Sequence, residues 1–364
     1  MNTKQSQSWI LVTHHKPHFD EMLAMYLLQN HPKSEQKYPG ITKSNGIKFW
    51  NPGSETPDGK SWQEWLKKNH LLIGVGGSQY DEHASLKEDR KENECAATLV
   101  AKDLGIEDEP QLQQLLKYAK RVDLSGSTDQ FSLASLINLY QKSYPDDEKS
   151  QMTIINWAMQ AIHIKYLEQK TFFETSVDEF RKNAQSEVIQ SKNIRGKIKN
   201  FTVVSIISDD PNAKAVAMST YGVNADVVII QKKSQNTIAI ITKKQSLVPV
   251  DNIVRIIRTK ENAKRNFIGA TKESLVNEKS LYENDPWYYF KDAGMLLNGS
   301  ERTKDNKFPT RLPFNEIVMS VKIALNNRFH QNHYVTCNQG ICAGSKCPWY
   351  CYGLSKCSEK KVAA

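Results

Sequence analysis

Long hydrophobic runs are missing from this chain of 364 residues. The longest uninterrupted one, residues 22–28, covers seven positions, whereas a helix needs about 20 to span a bilayer. The first eight residues contain a lysine but no apolar stretch after it, so no secretory signal is predicted. We therefore expect a cytoplasmic protein without a membrane segment. Hydrophobic residues make up 39% and charged residues 24%, which is typical of a folded chain, and the length predicts two domains.

Cysteine is scarce in the first 330 residues, where Cys95 stands alone. The other five cysteines fall within 21 residues near the C-terminus. A disulfide framework is not expected in a reducing compartment, so this clustering indicates a metal site. The spacings lack the Cys-x2-Cys pairs of common zinc ribbons. With His330 and His333 upstream, we still expect a tetrahedral zinc site, or alternatively an iron–sulfur cluster, held by Cys337, Cys342, Cys347 and Cys357.

Positive charge is concentrated in one part of the chain. The net charge is +9, and residues 181–270 contain 16 Lys and Arg against 6 Asp and Glu. Such clustering favours a polyanionic partner, with RNA as the favoured nucleic acid and Lys232, Lys233 and Arg258 as candidate phosphate contacts. The alternative is a well-solvated lysine-rich surface.

Strands and helices alternate in the first 105 residues, which predicts an α/β fold with a parallel sheet wrapped by helices. Apolar runs at residues 9–13, 46–50 and 71–75 predict strands, and residues 21–30, 62–69 and 94–104 predict helices. A helical stretch from residue 151 to about 190 predicts a connector, and β-branched runs at 201–207, 225–231 and 237–242 predict a second α/β domain. The predicted divisions are a metal-binding domain (1–150), the helical connector (151–200), a smaller α/β domain (201–330) and the Cys-rich tail (331–364).

A histidine- and aspartate-rich loop directly follows the first predicted strand. His14, His18 and Asp20 offer two imidazoles and a carboxylate, which are ligands that suit manganese, iron or zinc. Open α/β sheets bind ligands at the carboxyl ends of their strands, where this loop lies. The alternative is that the histidines only satisfy hydrogen bonds of the loop.

Further possible metal ligands follow other predicted elements. The third strand is followed by Gly74-Val75-Gly76-Gly77 and then by Tyr80-Asp81-Glu82-His83. Asp123 lies at a later helix–loop junction. This order of motifs resembles the DHH phosphoesterase superfamily, and most closely its melanocyte-proliferating-gene exonuclease family. The resemblance covers residues 9 to about 140, and residues 200–330 only loosely. It is carried by Thr13-His14, His18-Phe19-Asp20-Glu21, Val75-Gly76-Gly77 and Tyr80-Asp81-Glu82-His83.

The resemblance implies a two-metal site for Mn²⁺ or Mg²⁺. His14 and His18 would hold one ion, and Asp20 and Asp123 would help to hold the other. His83 would face the scissile phosphate, with Glu82 beside it in a working role. Two ions close together clamp the attacking and leaving oxygens of a phosphoryl group.

Two positions depart from the family pattern. Gly74 stands where the family has an aspartate that bridges both metals, and Glu82 stands where it has a histidine ligand. Glutamate still ligates manganese or magnesium, so this change shifts the preference toward harder ions. Glycine has no side chain that can bridge. Another carboxylate therefore takes over, or the site holds one metal, or hydrolysis is lost; the candidate carboxylates are Glu21, Asp81 and Asp89.

The second domain of the superfamily carries a glycine-rich loop that grips substrate. By this loose analogy, a terminal phosphate or sugar would be held by Asn298, Gly299, Ser300 and Arg311. The aromatic run 287–290 would stack a base or, alternatively, belong to the core.

The resulting expectation is a phosphodiesterase or nuclease that cleaves RNA, short oligonucleotides or nucleotides in a cleft between two α/β domains. One alternative is a DHH scaffold that binds nucleic acid without cutting it, and another is a structural subunit of a ribonucleoprotein assembly. The sequence is silent on the oligomeric state.

Overall fold

Three parallel strands form the central sheet of the N-terminal half. The computed structural model describes residues 8–44, 46–53, 55–83, 93–126, 128–299, 306–358 and 361–362. The strands are β1 (Ile10–His14), β2 (Gly46–Trp50) and β3 (His70–Leu72), in the order β2-β1-β3, and β1 pairs in parallel with both neighbours. The predicted mixed α/β fold with a parallel sheet is thereby confirmed.

Helices cover this sheet. They are α1 (Phe19–Asn30), α2 (Pro32–Lys37), α3 (Trp62–Leu66), α4 (Ala96–Leu104), α5 (Pro110–Ser125), α6 (Leu133–Ser143) and α7 (Glu148–Thr171). The longest apolar run of the sequence lies in α1, where every residue from Phe19 to Leu28 is buried. A helix that is apolar on all sides needs neighbours on all sides, and α4, α5 and α7 pack against α1.

The chain folds into two compact units, Met1–Phe173 and Glu174–Ala364, which we call the N-terminal and C-terminal units. The C-terminal unit begins with α8 (Val177–Asn183) and contains a six-stranded sheet. Its strands are β4 (Gln185–Lys192), β5 (Ile198–Ile207), β6 (Val227–Lys232), β7 (Thr237–Thr242), β8 (Tyr288–Phe290) and β9 (Met295–Asn298), in the order β4-β5-β6-β7-β9-β8. Only β5 and β6 pair in parallel in this sheet; its other described pairs are antiparallel.

The helices of the C-terminal unit pack with this sheet into a second core. They include α9 (Ala213–Met218), α10 (Val250–Arg265) and α11 (Phe314–Leu325), and the core is built from α10, α11 and the inward-facing side chains of the sheet. The tail consists of short elements: α12 (Tyr334–Asn338), β10 (Ile341–Cys342), α13 (Ser355–Ser358) and β11 (Lys361–Val362).

The prediction of a helix as far as about residue 190 is wrong. Helix α8 ends at Asn183, and residues 185–192 form β4 instead. Ile189 and Ser191 alternate inward between exposed neighbours, which is the period of a strand with one buried face. The antiparallel partner β5 supplies the hydrogen bonds that this polar sequence lacks on its own.

Candidate metal centre

The histidine- and aspartate-rich loop joins the end of β1 to the start of α1. His14 is the last residue of β1, and Asp20 and Glu21 lie in the first turn of α1. Between them, Lys16 adopts a left-handed conformation with φ 58°, which turns the chain back toward the sheet edge. Gln141 of α6 donates a hydrogen bond to the carbonyl oxygen of Pro17 at 2.8 Å and holds the loop in place.

His14 faces Glu21 with a fixed ring orientation. Its Nδ1 lies 2.7 Å from the carbonyl oxygen of His15, which can only accept, so Nδ1 carries a proton. The other nitrogen, Nε2, lies 2.9 Å from Glu21 Oε1. Burial opposes both charges, but this hydrogen bond and the mutual attraction prevail. They raise the pKa of His14 to about 9 and lower that of Glu21 to about 2. A proton therefore lies between His14 Nε2 and Glu21 Oε1, two atoms that could each ligate a metal cation.

Glu21 occupies the space beside Gly74. Gly74 has φ +64°, and a Cβ atom added to it would lie 2.8 Å from Glu21 Oε1. The second oxygen, Oε2, accepts a hydrogen bond from the backbone N–H of His18 at 2.7 Å. The Glu21 carboxylate therefore fills the space into which a side chain at position 74 would project.

Two further carboxylates are buried without full hydrogen bonding. Asp20 is 1% exposed; Oδ2 accepts from the backbone N–H of Ala96, but Oδ1 has no hydrogen-bond partner. Glu82 is 5% exposed, and its Oε2 has none either. Burial, followed by repulsion from Glu21, raises the pKa of Glu82 to about 8 and that of Asp20 well above its usual range. Bare buried carboxylate oxygens of this kind are what a divalent cation would satisfy.

Six side chains form three overlapping groups, and within each group the possible ligand atoms lie within 4.8 Å of one another. The groups are His14, His18 and Glu21; His18, Asp20 and Asp123; and Asp20, Glu21 and Glu82. Glu21 belongs to two of these groups, as do His18 and Asp20. The nitrogen and oxygen donors fit Mn²⁺ or a similar cation, and shared ligands are what two neighbouring ions need. These residues could therefore hold a metal.

The sequence alone did not distinguish Glu21 from two other candidate carboxylates. The resemblance offers it only as one of three carboxylates that could act in place of an aspartate at position 74. Of the other two, Asp81 accepts hydrogen bonds from the backbone N–H groups of Gly77 and His83, each at 2.9 Å, and so shapes its own loop. Asp89 lies outside the described residues.

His83 has the exposure expected of a group that meets substrate. Its side chain is 73% exposed, and Nε2 lies 3.5 Å from Glu82 Oε1. Burial, followed by repulsion from Glu21, raises the pKa of Asp123, and attraction to His83 opposes part of this rise. His83 therefore lies at the solvent side of the carboxylate cluster.

The predicted substrate loop of the C-terminal unit requires correction. Asn298 is 0% exposed, and its amide is occupied by backbone groups of Pro286, Phe308 and Thr310 and by Asn306. It stabilises the loop and cannot reach a substrate. At Gly299, with φ +84°, a Cβ would lie 2.6 Å from Thr237, so glycine is required there by packing. Ser300 lies outside the described residues.

Arg258 also has a structural position instead of the predicted phosphate contact. It is 1% exposed, and its guanidinium donates hydrogen bonds to four carbonyl oxygens, those of Leu275, Asn277, Lys279 and Trp287. Asp285 lies 3.8 Å away and balances its charge.

The other predicted substrate contacts of the C-terminal unit differ in exposure. Trp287 is fully buried, so this aromatic belongs to the core, whereas Tyr288 and Phe290 are exposed. Arg311 and Lys233 are exposed, and Lys232 is half-buried.

Replacing Arg258 by methionine is expected to lower the free energy of unfolding by about 3 kcal/mol, because Asp285 and four carbonyls lose their partner. Denaturant unfolding of the full chain measures this. Lys264→Met, an exposed position on the same helix, is the matched control and should change stability by less than about 0.5 kcal/mol. Normal stability of the Arg258→Met protein together with weaker nucleic-acid binding would contradict the structural role and support Arg258 as a phosphate contact.

The tail cysteines are separate thiols, and Cys337 and Cys342 are buried. In the described part of the chain, no three cysteine sulfurs lie within 4.8 Å of one another. The predicted zinc site therefore stays a prediction at this point.

Comparison with known protein families finds no match, and comparison with curated proteins finds none either. Among the described residues, no helix is both long and apolar enough to cross a membrane.

Proposed function

We propose that the N-terminal unit is a metal-dependent phosphodiesterase of the DHH type, which its sequence resembles, and that it hydrolyses RNA, short oligonucleotides or nucleotides with Mn²⁺ or Mg²⁺. The observation that carries the proposal is the position of Glu21. Its carboxylate lies where a side chain from position 74 would project, and it shares ligand groups with two histidines on one side and two carboxylates on the other. The bridging role left open by Gly74 is thereby assigned to Glu21.

Each residue of the cluster has a defined task in this proposal. His14, His18 and Glu21 would hold one cation, and Asp20, Glu82 and Asp123 would complete the second position together with shared ligands. Bound divalent cations would supply Lewis-acid activation of water and neutralise phosphate charge. Glu82 adds an anionic ligand, which favours Mn²⁺ or Mg²⁺ over zinc. The exposed His83 would donate a hydrogen bond to a phosphate oxygen as negative charge develops on it.

The test is cleavage of 5′-labelled single-stranded RNA and short oligonucleotides under Mn²⁺, Mg²⁺ and Zn²⁺. We expect the wild type to cleave with Mn²⁺ or Mg²⁺ and His83→Ala to be slower by about a hundredfold. His15→Ala is the matched control: His15 lies in the same loop between β1 and α1, but its side chain is exposed and belongs to none of the three ligand groups. Only its backbone carbonyl, which the substitution keeps, contacts His14, so this variant should retain wild-type activity.

Equal activity in the wild type and in His83→Ala would exclude His83 from the reaction. Equal activity in the wild type and in an Asp20→Ala protein would indicate a contaminating nuclease. No cleavage of any substrate, together with salt-sensitive binding of nucleic acid, would favour the second candidate function.

That second candidate is nucleic-acid binding without cleavage, and it rests on the C-terminal unit. Residues 181–270 contain 16 basic against 6 acidic residues. A cavity of about 810 Å³ in this unit is bordered by the exposed Lys192 and Lys291. A cavity of that size is in the range of small-ligand sites, and its lysines would attract a phosphate group.

Binding through this basic surface is expected to weaken steeply with salt, at a log–log slope of about 0.7 per phosphate contact for a single strand. Replacing Lys192 and Lys291 together by alanine should reduce the slope by about 1.4. Fluorescence anisotropy with labelled RNA at several salt concentrations measures it. Lys149→Ala, an exposed lysine of the N-terminal unit, is the charge-matched control. A slope near zero in the wild type would assign these lysines to solubility alone.

A further inference from the structure

The cavity of about 810 Å³ in the C-terminal unit is lined by five segments of the chain. They are the turn after β4, the residues just before α10 with its first turn, the end of β8, the end of α11 with the residues that follow it, and a part of the tail. All five belong to the C-terminal unit. A cavity of this size is in the range of sites for small molecules.

Hydrogen bonds between these segments fix the walls of the cavity. The backbone N–H of Ile194, in the turn after β4, donates to the carbonyl oxygen of Leu247 at 3.0 Å. Asn252 of α10 and Ser355 of the tail are joined by two hydrogen bonds of 2.9 and 3.1 Å. The ammonium group of Lys356 donates to three carbonyl oxygens at the end of α11 or just after it. Because an ammonium group has three donors, Lys356 holds the tail in place and has none left for a ligand.

Three asparagine side chains line the cavity with their oxygen atoms already engaged. Asn327 Oδ1 accepts from the backbone N–H of Lys192 at 3.2 Å, and Asn326 Oδ1 accepts from that of Arg328 at 2.8 Å. Asn193 Oδ1 accepts from two backbone N–H groups of its own turn, at 2.9 and 3.0 Å. A backbone N–H can only donate, so these partners identify the oxygen of each carboxamide. What each side chain can offer to a ligand is its NH₂ group, which donates.

The charged groups of the cavity also favour an anion. Among the described residues that line it, the basic ones are Lys192, Lys291 and Lys356, and the acidic one is Asp251. Asp251 Oδ1 accepts a hydrogen bond from the hydroxyl group of Tyr289 at 2.8 Å. Lys192 and Lys291 are exposed. Positive charges and NH₂ donors therefore predominate, and this combination binds phosphate oxygens.

Apolar side chains form another part of the lining, which we call the apolar wall. Its members are Val248, Val250, Ala324, Phe329 and Ile194. Ile194 is 64% exposed. An inorganic anion would leave this wall in water, whereas a nucleotide offers a phosphate to the lysines and a flat ring to the wall. The lining therefore fits a nucleotide better than a bare anion.

We propose that the cavity binds a nucleoside 5′-monophosphate group, with its phosphate held by Lys192, Lys291 and the NH₂ group of Asn327 and its base against the apolar wall. The proposal deepens the second candidate function, on which it rests for the class of ligand, and it does not depend on the metal centre of the N-terminal unit. The same group occurs in a free nucleotide and at the 5′ end of an RNA, and the test separates these two sources.

The test begins with isothermal titration of the full chain with AMP in EDTA, so that no divalent cation takes part. We expect one AMP per chain and at least about a hundredfold weaker binding of adenosine, because adenosine lacks the group that both lysines contact. Inorganic phosphate should bind at least about tenfold more weakly than AMP, since it leaves the apolar wall in water. No binding of AMP, or equal affinity of AMP and either partial ligand, would overturn the proposal. These measurements need no variant.

Variants then place AMP in the cavity. Asn327→Asp keeps an oxygen for the backbone N–H of Lys192 but puts a negative charge where the NH₂ donor was, and it should weaken AMP binding at least about tenfold. The matched control is Asn200→Asp, at an exposed position of β5 outside the cavity lining, which should bind AMP as the wild type does. Full AMP affinity in Asn327→Asp would contradict the assignment.

The two lysines are tested in the same way. Lys192→Met and Lys291→Met should each weaken AMP binding about tenfold, because each removes a charged hydrogen-bond donor. Lys264→Met, at an exposed position of α10 outside the lining, is the control that should keep wild-type affinity. Wild-type affinity in both cavity variants would place AMP elsewhere on the protein.

Competition identifies the source of the nucleotide. Displacement of AMP by a 5′-phosphorylated RNA, but not by the same RNA with a 5′-hydroxyl group, would support the end of a strand; displacement by neither would support a free nucleotide. Displacement by both RNAs alike would refute the proposal, because internal phosphates would then suffice. Salt-sensitive binding of RNA without any binding of AMP would also refute it, while leaving the second candidate function intact. Binding of AMP without binding of RNA would have the opposite meaning.

Discussion

Glu21→Ala is expected to weaken Mn²⁺ binding by at least about a hundredfold, and Gly74→Asp in the same chain to restore part of it. Loss of an outer-shell partner alone typically costs 10–100-fold in metal affinity, so loss of a shared ligand should cost at least as much. The rescue is expected because removal of Glu21 beyond Cβ clears the space that a side chain at position 74 would enter.

The single variant Gly74→Asp, in which Glu21 is still present, should disturb the site instead of restoring Mn²⁺ binding. With Glu21 present, its Cβ would lie 2.8 Å from Glu21 Oε1, and two carboxylates would compete for one space. Overpacking of this kind costs about 1–3 kcal/mol. The left-handed backbone at position 74, with φ +64°, suits aspartate better than most residues. The double variant is therefore expected to bind Mn²⁺ more tightly than either single variant.

Isothermal titration with Mn²⁺ on all four proteins completes a double-mutant cycle. Glu21→Gln serves as the shape-matched control: it keeps the size of the side chain, so any loss of Mn²⁺ binding in it reports the charge and not packing. Simple additivity of the two substitutions would show that Glu21 does not replace a ligand at position 74. Wild-type affinity in Glu21→Ala would remove Glu21 from the metal site altogether.

Asp20→Asn is expected to raise the melting temperature of the metal-free protein while abolishing its stabilisation by Mn²⁺. Asp20 is 1% exposed, lies beside Glu21, Asp123 and Glu82, and leaves Oδ1 without a hydrogen-bond partner. Asparagine keeps an oxygen for the backbone N–H of Ala96 and removes the repulsion. A gain of about 1 kcal/mol corresponds to about 2–4 °C in a unit of this size.

For the wild type, Mn²⁺ at a hundred times its dissociation constant should add about 2.7 kcal/mol, or about 5–10 °C. Calorimetry with and without Mn²⁺ measures both effects, and Asp108→Asn, an exposed carboxylate of the same unit, is the control that should keep the full shift. A metal-free Asp20→Asn protein that melts lower would mean that Asp20 is stabilising by itself. An undiminished Mn²⁺ shift in this variant would place the cation elsewhere.

The periodic parts of the fold could be predicted from the sequence because each of them carries its pattern locally. The apolar run at residues 9–13 precedes a polar loop, and the observed strand β1, Ile10–His14, ends at that loop as expected. Helix α1 and strand β7 were likewise predictable from the apolar pattern of their own residues. Strand β4 does not, because its polar residues acquire strand structure only through pairing with β5. No local pattern states which partner a segment will find.

For the candidate site too, some features could be predicted from the sequence and others only from the tertiary structure. The sequence by itself determined the residue types, since His14, His18, Asp20 and Asp123 carry side chains that can ligate a metal and come after neighbouring elements. It also showed that position 74, where the family that it resembles has an aspartate, is a glycine. Only the tertiary structure decided that Glu21 fills that space, because the contact depends on the φ of Gly74 and on the rotation of α1.

The tertiary structure likewise removed two residues from the predicted binding surface. Arg258 and Asn298 have side chains that bind phosphate or sugar when they are exposed, and nothing in their neighbours along the chain marks them as buried. Their side chains are instead used up by backbone groups that are distant in sequence, as with the bond from Arg258 to the carbonyl of Trp287. The sequence determines what a side chain can do chemically, whereas the folded chain determines which groups it meets, because burial and hydrogen-bond partners come from segments far apart in sequence.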